Sequence, residues 1–190
     1  MIGDSFPEVL AAAQRGEPSA IEAIYRDVAP LVLGYLRANG ARDPEDTSSE
    51  VFVSMMRRLP HFTGDEQRFR SWLLTIAYRR MVDDFRRRGR RREDPVPTDE
   101  MGERVILLTD GESEALARLR SQGVLEALDQ LTDDQRAALV LRVLADLSVR
   151  EVAEVMGKPE TAVKALLRRG FASLARHLAA GGEDVGEAVE

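Results

Sequence analysis

The chain has 190 residues, no cysteine and a formal net charge of −6. Without cysteine, a disulfide framework and a thiolate metal site are both excluded. No window approaches the roughly 18 consecutive apolar residues of a membrane span, and the N-terminus lacks the basic-then-apolar order of a signal peptide, so we expect a cytoplasmic protein with no membrane insertion.

The charge is distributed unevenly along the chain. Residues 64–92 hold ten basic and four acidic side chains, and residues 136–178 hold eight basic and four acidic ones. Residues 93–135, between these blocks, hold twelve acidic and three basic side chains. Because phosphate binding depends on local charge, the two basic blocks are compatible with a nucleic-acid partner despite the negative total.

The first part of the chain has helical periodicity. A short amphipathic helix is predicted from Phe6 to Arg15, ended by Gly16. Ser19 and Glu22 have the spacing of a capping box, which predicts the start of a second helix. Its apolar positions run as far as Asn39-Gly40 and are predicted to be core: Ile21, Ile24, Tyr25, Val28, Leu31, Val32, Tyr35 and Leu36.

A third helix is predicted to begin at Asp43-Pro44, because proline suits the first helical position and carboxylates in the first turn complement the helix dipole. Its inward-facing residues are predicted to be Val51, Phe52, Met55, Met56 and Leu59. A polar stripe formed by Asp46, Ser49, Glu50 and Ser54 lies largely on the other side. Taken alone, such a stripe indicates a solvated surface.

The stretch LPHFTGDEQRFR, residues 59–70, is a loop with aromatic and basic residues. Phe62 and Phe69 offer rings on which bases could stack, and Arg68 and Arg70 offer cations for phosphates, as single-stranded nucleic-acid sites require. The alternative is that both rings attach the loop to the core.

A long helix is predicted from Ser71 to Arg88, with a buried face formed by Trp72, Leu73, Ile76, Ala77, Met81 (or Val82) and Phe85. Residues 86–92 contain six arginines in seven positions, which makes them a strong candidate for phosphate binding. A basic helix could also lie on an anionic membrane, but here the apolar face is needed for a core.

The amino-acid composition changes after this helix. Residues 93–112 are acidic and contain proline and glycine, which predicts a linker. Helical periodicity then resumes, and Thr132 and Gln135 form another predicted capping box. From Gly181 the acidic end of the chain is predicted to be a disordered tail. No segment alternates as a strand does, so we predict an all-α protein with two small helical domains joined by an acidic flexible linker.

Residues 148–169 have the pattern of a helix-turn-helix. Ser148 and Glu151 form a capping box, and Ala153 is small where two helices cross. Gly157 suits a turn with positive φ, and Val163 follows at the offset that packs back on the first helix. The second helix would carry basic residues toward a major groove. The alternative is an ordinary helical hairpin with a basic surface.

Catalytic patterns are not found in the sequence. The only histidines, His61 and His177, lie far apart, and there is neither a glycine-rich phosphate loop nor a nucleophile elbow. We therefore expect no enzyme, no catalytic residues, no cofactor and no metal.

Three runs in this order resemble the extracytoplasmic-function (group 4) sigma factors of bacterial RNA polymerase: DPEDTSSEVFVSMMRRLPHF, FRSWLLTIAYRRMVDDFRRR and the stretch from LTDDQRAALV to SLARHL. The resemblance covers about residues 19–178. It implies a region 2 domain (1–92), a linker (93–112), a region 4 helix-turn-helix domain (113–180) and a tail (181–190). The partners it implies are core RNA polymerase (the beta-prime clamp and the beta flap), promoter DNA and an anti-sigma factor.

The resemblance also implies three sets of site residues. Those that would bind polymerase are Asp43, Asp46, Glu50 and Ser54. Those that would open and read the minus-ten element, trapping an unstacked base, are Phe62, Arg68, Phe69, Trp72, Arg79, Arg80, Asp83, Arg86 and Arg87. Those that would bind the minus-thirty-five duplex are Arg150, Lys158, Thr161, Lys164, Arg168 and Arg169.

Two stretches depart from the family pattern. Relatives commonly carry Gly-Thr-Val-Lys-Ser-Arg in the reading helix, whereas residues 161–166 here are Thr-Ala-Val-Lys-Ala-Leu. In the minus-ten helix, Tyr78 and Arg79 replace an Arg-Asn pair. Two other functions stay open: a stand-alone helix-turn-helix regulator and, because of the changes at residues 161–166, a polymerase-binding protein with degenerate promoter reading.

Overall fold

The computed structural model describes residues 1–91 and 122–183, and within these it describes the side chains of residues 1–85 and 126–177. Eight α-helices lie in the described residues, and no strand is found there. They are α1 (Phe6–Gln14), α2 (Pro18–Ala38), α3 (Pro44–Arg58), α4 (Glu66–Arg91), α5 (Gln122–Asp129), α6 (Asp133–Leu144), α7 (Val149–Met156) and α8 (Glu160–Glu183). The all-α prediction is confirmed. The predicted linker, 93–112, and residues 184–190 of the predicted tail lie outside the described residues. The predicted start of the tail at Gly181 is wrong, because residues 181–183 are the last residues of α8.

Helix α2 is the centre of the first unit, which comprises α1 to α4. It packs against α1, α3 and α4, and Val32, Tyr35 and Leu36 on its inner face are fully buried. The capping box predicted at Ser19 is wrong, because the helix begins at Pro18 with Glu17 as its N-cap and no capping side chain. Proline lacks the N–H that would need a cap, so the helix starts before Ser19 could supply one.

The starts of α3 and α4 are both capped by aspartate. Asp43 accepts a hydrogen bond from the N–H of Asp46 at 3.0 Å, as the sequence predicts for a helix beginning there. Asp65 accepts one from the N–H of Arg68 at 2.8 Å, so α4 begins at Glu66, five residues before the predicted start. The loop between the short 3-10 helix Leu59–His61 and α4 is therefore only residues 62–65.

The second unit, α5 to α8, contains the predicted helix-turn-helix. The capping boxes at Thr132 and Ser148 are both present with reciprocal hydrogen bonds. Gly157 has φ +63° and ends α7 in the left-handed region, where glycine carries no side-chain penalty. Val163 of α8 and Val152 of α7 are fully buried, so the two helices pack as the motif requires.

The two units are in contact. Helix α2 packs against α6, and α4 packs against α7, so the buried residues of both units form one hydrophobic cluster. At one end of the α4–α7 contact, the amide of Gln67 donates to the carboxylate of Glu151 at 3.4 Å. The first helix of the helix-turn-helix thus lies against the helix predicted to read the minus-ten element.

Candidate functional site

Four aromatic rings meet where the 62–65 loop joins α4. The ring centroid of Phe62 lies 5.2 Å from that of Phe69 and 5.0 Å from that of Trp72. Phe69 also contacts Trp72 at 5.5 Å and Phe6 of α1 at 5.6 Å. Phe69 is only 1% exposed, whereas Phe62 and Trp72 are half-buried. The buried ring therefore supports two rings that remain accessible at the surface.

The tip of this loop is exposed, and its conformation depends on a glycine. Residues 63–65 are exposed, between Phe62 on one side and the Asp65 cap on the other. Gly64 has φ +153°, which side-chain-bearing residues rarely adopt. A Cβ on Gly64 would also lie 3.2 Å from Cζ of Phe62 and 3.1 Å from Cβ of Arg68. The loop thus requires glycine for both its backbone conformation and the approach of the Phe62 ring.

The cations predicted to contact minus-ten DNA differ in their surroundings. Arg68 and Arg79 are exposed, as is Asp83. Arg80 instead connects α4 to α3, since its guanidinium donates to Glu50 at 3.1 Å and to the Ser54 hydroxyl at 2.9 Å. Arg86 and Arg87 belong to α4, but their side chains lie outside the described residues.

The residues predicted to bind polymerase lie on α3 or at its start. Asp43 caps the helix and is exposed, whereas Ser54 is 7% exposed beneath Arg80 and is not accessible. Asp46 and Glu50 are also exposed. The structure thus leaves the three carboxylates as the accessible part of the predicted set.

An apolar surface beside these carboxylates was missed by the sequence analysis. Val53 is 52% exposed and Met56 lies near it on α3, while Tyr25 of α2 is half exposed and packs against Phe52 with tilted rings whose centroids are 4.7 Å apart. The predicted burial of Tyr25 and Met56 is therefore wrong. Five of the six residues 51–56 are apolar, which is too broad an arc for one buried helix face, and this signal could have indicated exposed positions.

In the helix-turn-helix, the predicted DNA-binding residues lie around the start and outer face of α8. Thr161, Lys164, Arg168 and Arg169 are exposed on α8, and Arg150 is exposed on α7. Several of the cations have acidic neighbours: Lys158 bonds Asp134 at 3.0 Å, Arg150 bonds Glu154 at 3.2 Å, and Lys164 lies 4.0 Å from Glu160. Lys158 donates a hydrogen bond to the Asp134 carboxylate, which raises the pKa of Lys158, so this side chain stays charged.

Glu151, in the capping box of α7, has a perturbed pKa. Burial would raise the pKa of this carboxyl, but hydrogen bonds from Ser148 and Gln67 outweigh burial and lower it. The carboxylate is therefore ionised while it caps α7 and contacts α4. Its role is structural, at the boundary between the two units.

In the described part of the chain, no group of three or more histidine, aspartate or glutamate side chains is placed to hold a metal ion. None of the helices in residues 1–91 and 122–183 is long and apolar enough to cross a membrane.

Comparison with known families places both units. The family model described as Sigma-70 region 2 matches residues 21–91, and the one described as Sigma-70, region 4 matches residues 121–174. The first match includes the aromatic loop and α3, and the second includes the helix-turn-helix. Helix α1 precedes both matches.

Individual relatives agree with these matches. The chain is 36% identical to the ECF RNA polymerase sigma factor BldN of Streptomyces coelicolor over 90% of its own length and 65% of that protein. It is 30% identical to the ECF RNA polymerase sigma factor ShbA of Streptomyces griseus over 85% of the chain and 89% of that protein. The sigma factor RpoE of Bartonella quintana, whose structure was solved in complex with the anti-sigma factor NepR, has a similar fold, with a TM-score of 0.67. The match covers 83% of this chain and 96% of RpoE, with 21% sequence identity.

Proposed function

The chain belongs to the extracytoplasmic-function sigma factors of the sigma-70 family, and on that premise we propose that it directs core RNA polymerase to specific promoters and starts their opening. In this proposal it acts in the cytoplasm and performs no chemistry of its own, because the polymerase makes the RNA. The observation that supports the proposal most is the half-buried aromatic loop at residues 62–65, which lies within the region 2 match and has the chemistry needed to hold an unpaired base.

Polymerase would bind at the surface of α3. Asp46 and Glu50 supply exposed carboxylates, and Val53, Met56 and Tyr25 supply adjacent apolar area. An apolar centre beside charged residues is the usual composition of a protein interface. Asp43 and Ser54 would contribute indirectly, by capping α3 and by holding Arg80.

Promoter opening would take place at the loop. A base that leaves the duplex could stack on the accessible rings of Phe62 or Trp72, a contact that contributes about 1–3 kcal/mol per base. Phe69 would support both rings from beneath. Arg68 and Arg79 would contact phosphates, and Arg86 and Arg87 would extend this basic surface along α4. Arg80 and Asp83 would lie beside it.

Duplex recognition would take place at α8. Its exposed cations Lys164, Arg168 and Arg169 face outward, with Arg150, Lys158 and Thr161 at its approach. Ala165 and Leu166 offer no hydrogen bonds to base edges, so most contacts there would be to phosphates. The partner proposed for this unit on the polymerase is the beta flap.

An anti-sigma factor is proposed as the regulator. RpoE of Bartonella quintana forms such a complex, and the exposed apolar side chains Val53, Met56 and Tyr25 here offer a surface that a second protein could cover. A regulator that covered this surface would compete directly with polymerase.

The proposal is tested by run-off transcription. Purified chain and core polymerase are given fragmented genomic DNA from the source organism, and the transcripts that require the chain are sequenced. We expect discrete start sites sharing a minus-ten and a minus-thirty-five element. If no transcript depends on the chain, the proposal is wrong.

A gel shift on the recovered promoters separates this function from that of a stand-alone regulator. The sigma factor alone should bind these duplexes weakly and should bind them tightly once it is combined with core polymerase. Tight binding of the chain without polymerase would favour the regulator.

A further inference from the structure

Helix α1 lies outside both family matches, yet it contacts the aromatic loop and the start of α4. Phe6, at its first position, packs against Phe69 with ring centroids 5.6 Å apart. Just before α1, the N–H groups of Ile2 and Gly3 donate to the two carboxylate oxygens of Glu66, at 2.8 and 2.9 Å. The last residue of α1, Gln14, contacts the other end of the loop. The helix therefore spans the site from one side of the loop to the other.

The amide of Gln14 is the most specific of these contacts. Its nitrogen Nε2 donates to the carbonyl oxygen of Leu59 at 2.9 Å and to that of Phe62 at 2.7 Å. A primary amide nitrogen carries two hydrogens, so each carbonyl can receive one of them. The Leu59 carbonyl also accepts the N–H of Phe62 at 3.1 Å. One side chain thus holds both ends of the turn that leads into Phe62.

We infer that Gln14 is a positioning residue for promoter opening, which fixes the main chain of Phe62 before DNA arrives. The inference rests on the proposed function of the loop. With the Phe62 carbonyl held, the Phe62 ring stays against Trp72 and the exposed tip, residues 63–65, stays above them. A loop that is already ordered loses less conformational freedom when it captures a base, so capture is stronger.

Removing the donor has a defined consequence. The carbonyls of Leu59 and Phe62 are in a half-buried environment, where a lost donor is not fully replaced by water. The turn would then move toward solvent to recover hydrogen bonds. Since Phe62 follows directly, its ring would leave Trp72, while the polymerase-binding surface of α3 would not change.

Two variants of the full chain remove the donor in different ways. Gln14→Met keeps the length of the side chain and removes both donors without adding charge. Gln14→Glu keeps its shape but places a carboxylate against two carbonyl oxygens, so its effect should be at least as large. Glu8→Gln is the matched control, because Glu8 is an exposed residue of the same helix. Urea unfolding and polymerase affinity are measured for all three.

The first measurement needs no DNA. Trp72 is the only tryptophan of the chain and lies against Phe62. Its fluorescence therefore reports the position of the ring. We expect acrylamide to quench Trp72 more readily in both Gln14 variants, with the control unchanged.

The second measurement uses holoenzyme on the promoters recovered in the run-off experiment, in two forms. The rate of opening is measured on the intact duplex. Base capture is measured on forked DNA, whose exposed non-template strand carries either the normal base or an abasic site at each minus-ten position. The wild type should bind the normal strand better at the captured position. In both Gln14 variants, we expect opening to be about tenfold slower and this discrimination to be reduced, while polymerase affinity stays within about twofold, the scale expected when two carbonyls lose a donor.

The outcomes are distinct. Greater quenching together with slower opening and weaker discrimination supports the inference. Unchanged quenching overturns it, as does greater quenching with normal opening, since Gln14 would then hold a turn that opening does not need. If the wild type opens no promoter, the proposed function fails, whereas the quenching still decides whether Gln14 fixes the loop.

Discussion

The two candidate DNA-contacting parts of this chain are built in different ways. The helix-turn-helix is specified locally: the capping box at Ser148 and the left-handed Gly157 set its helices within a few residues of sequence. The aromatic loop is specified from a distance, because Gln14, Phe6 and Glu66 join parts of the chain 45 to 64 residues apart. The outer face of α8 carries Thr161 and three exposed cations, whereas the loop combines accessible aromatic rings with the exposed Arg68.

This difference indicates where each part should be sensitive to mutation. A locally specified turn depends on a few backbone conformations and tolerates changes on its outer face. A loop held by distant contacts depends on the core beneath it, so changes in buried rings should affect both its stability and its function. Substitutions at matched positions in the two parts should therefore differ in their effects.

The largest expected effect concerns a phenylalanine in each part. Phe69→Ala should lower the free energy of unfolding by about 3–5 kcal/mol, because the buried ring contacts three other aromatics. Phe171→Ala, on α8, should cost less than about 1 kcal/mol because that ring is 45% exposed. Urea unfolding of both variants measures the difference. Equal losses would mean that the aromatic cluster does not support the loop as its geometry indicates.

The next comparison uses a glycine from each part. Gly157→Ala should cost about 1–2 kcal/mol for the left-handed backbone alone, since nothing lies within 4 Å of the added Cβ. Gly64→Ala should cost about 2 kcal/mol or more, because strain is joined by contacts with Phe62 and Arg68. Thermal unfolding gives both values.

Trp72 fluorescence provides the control for this pair. It should change in the Gly64→Ala variant, where the Phe62 ring is displaced, and it should not change in the Gly157→Ala variant. If Gly157→Ala loses more stability than Gly64→Ala, the loop is not the more sensitive of the two parts to an added side chain.

The sequence predicted the locally specified part well. The capping boxes at Thr132 and Ser148 and the turn at Gly157 are confirmed, because each depends on residues three or four positions apart. The capping box at Ser19 has the same spacing but is wrong, since Pro18 starts the helix first. A spacing pattern is thus reliable only where no stronger start signal precedes it.

The loop was predicted only in outline. Its aromatic and basic content is visible in sequence, but no spacing pattern connects Gln14 with Leu59 and Phe62. Phe69 is buried, as expected for a ring that attaches the loop to the core, whereas Phe62 is half-buried, and base stacking on it stays a prediction. The packing of α4 against α7 could not be predicted from the sequence either. Periodicity shows which face of a helix is buried, but it does not show which helix on the other side of residues 93–112 covers that face.

A smaller effect is expected on the outer face of α8. Lys164→Ala and Arg168→Ala should each lower the slope of log affinity against log salt by about 1, if these cations contact promoter phosphates. Holoenzyme binding to the minus-thirty-five duplex is measured between low and physiological salt. Arg176→Ala is the control, because Arg176 is exposed farther along the same helix and bonds the Ala172 carbonyl.

The result also discriminates between two functions. A protein that binds polymerase but has lost promoter reading should show no change in slope with either variant. A lower slope in both variants, with no change in the control, would indicate that the outer face of α8 still binds DNA through its phosphates.

The smallest expected effect concerns the turn that enters the helix-turn-helix. Asp146 has φ +49°, the one positive φ outside glycine in the described residues. Asp146→Gly removes this strain, which raises the free energy of unfolding. It also makes the unfolded chain more flexible, which lowers the free energy of unfolding, but at positive φ the relief of strain is the larger effect. The lost ion pair with Arg142 weighs little because the Asp146 side chain is 95% exposed. The variant should therefore be more stable, by about 0.5 kcal/mol.

Asp146→Asn is the matched comparison for this turn, because asparagine tolerates the same backbone but carries no charge. Its stability should stay within about 0.3 kcal/mol of the wild type, as expected when only an exposed ion pair is lost. Chemical unfolding of both variants decides between strain and charge. If Asp146→Gly and Asp146→Asn are destabilised alike, the ion pair with Arg142 stabilises the turn more than backbone strain weakens it, and this turn, like the loop, would depend on side-chain contacts.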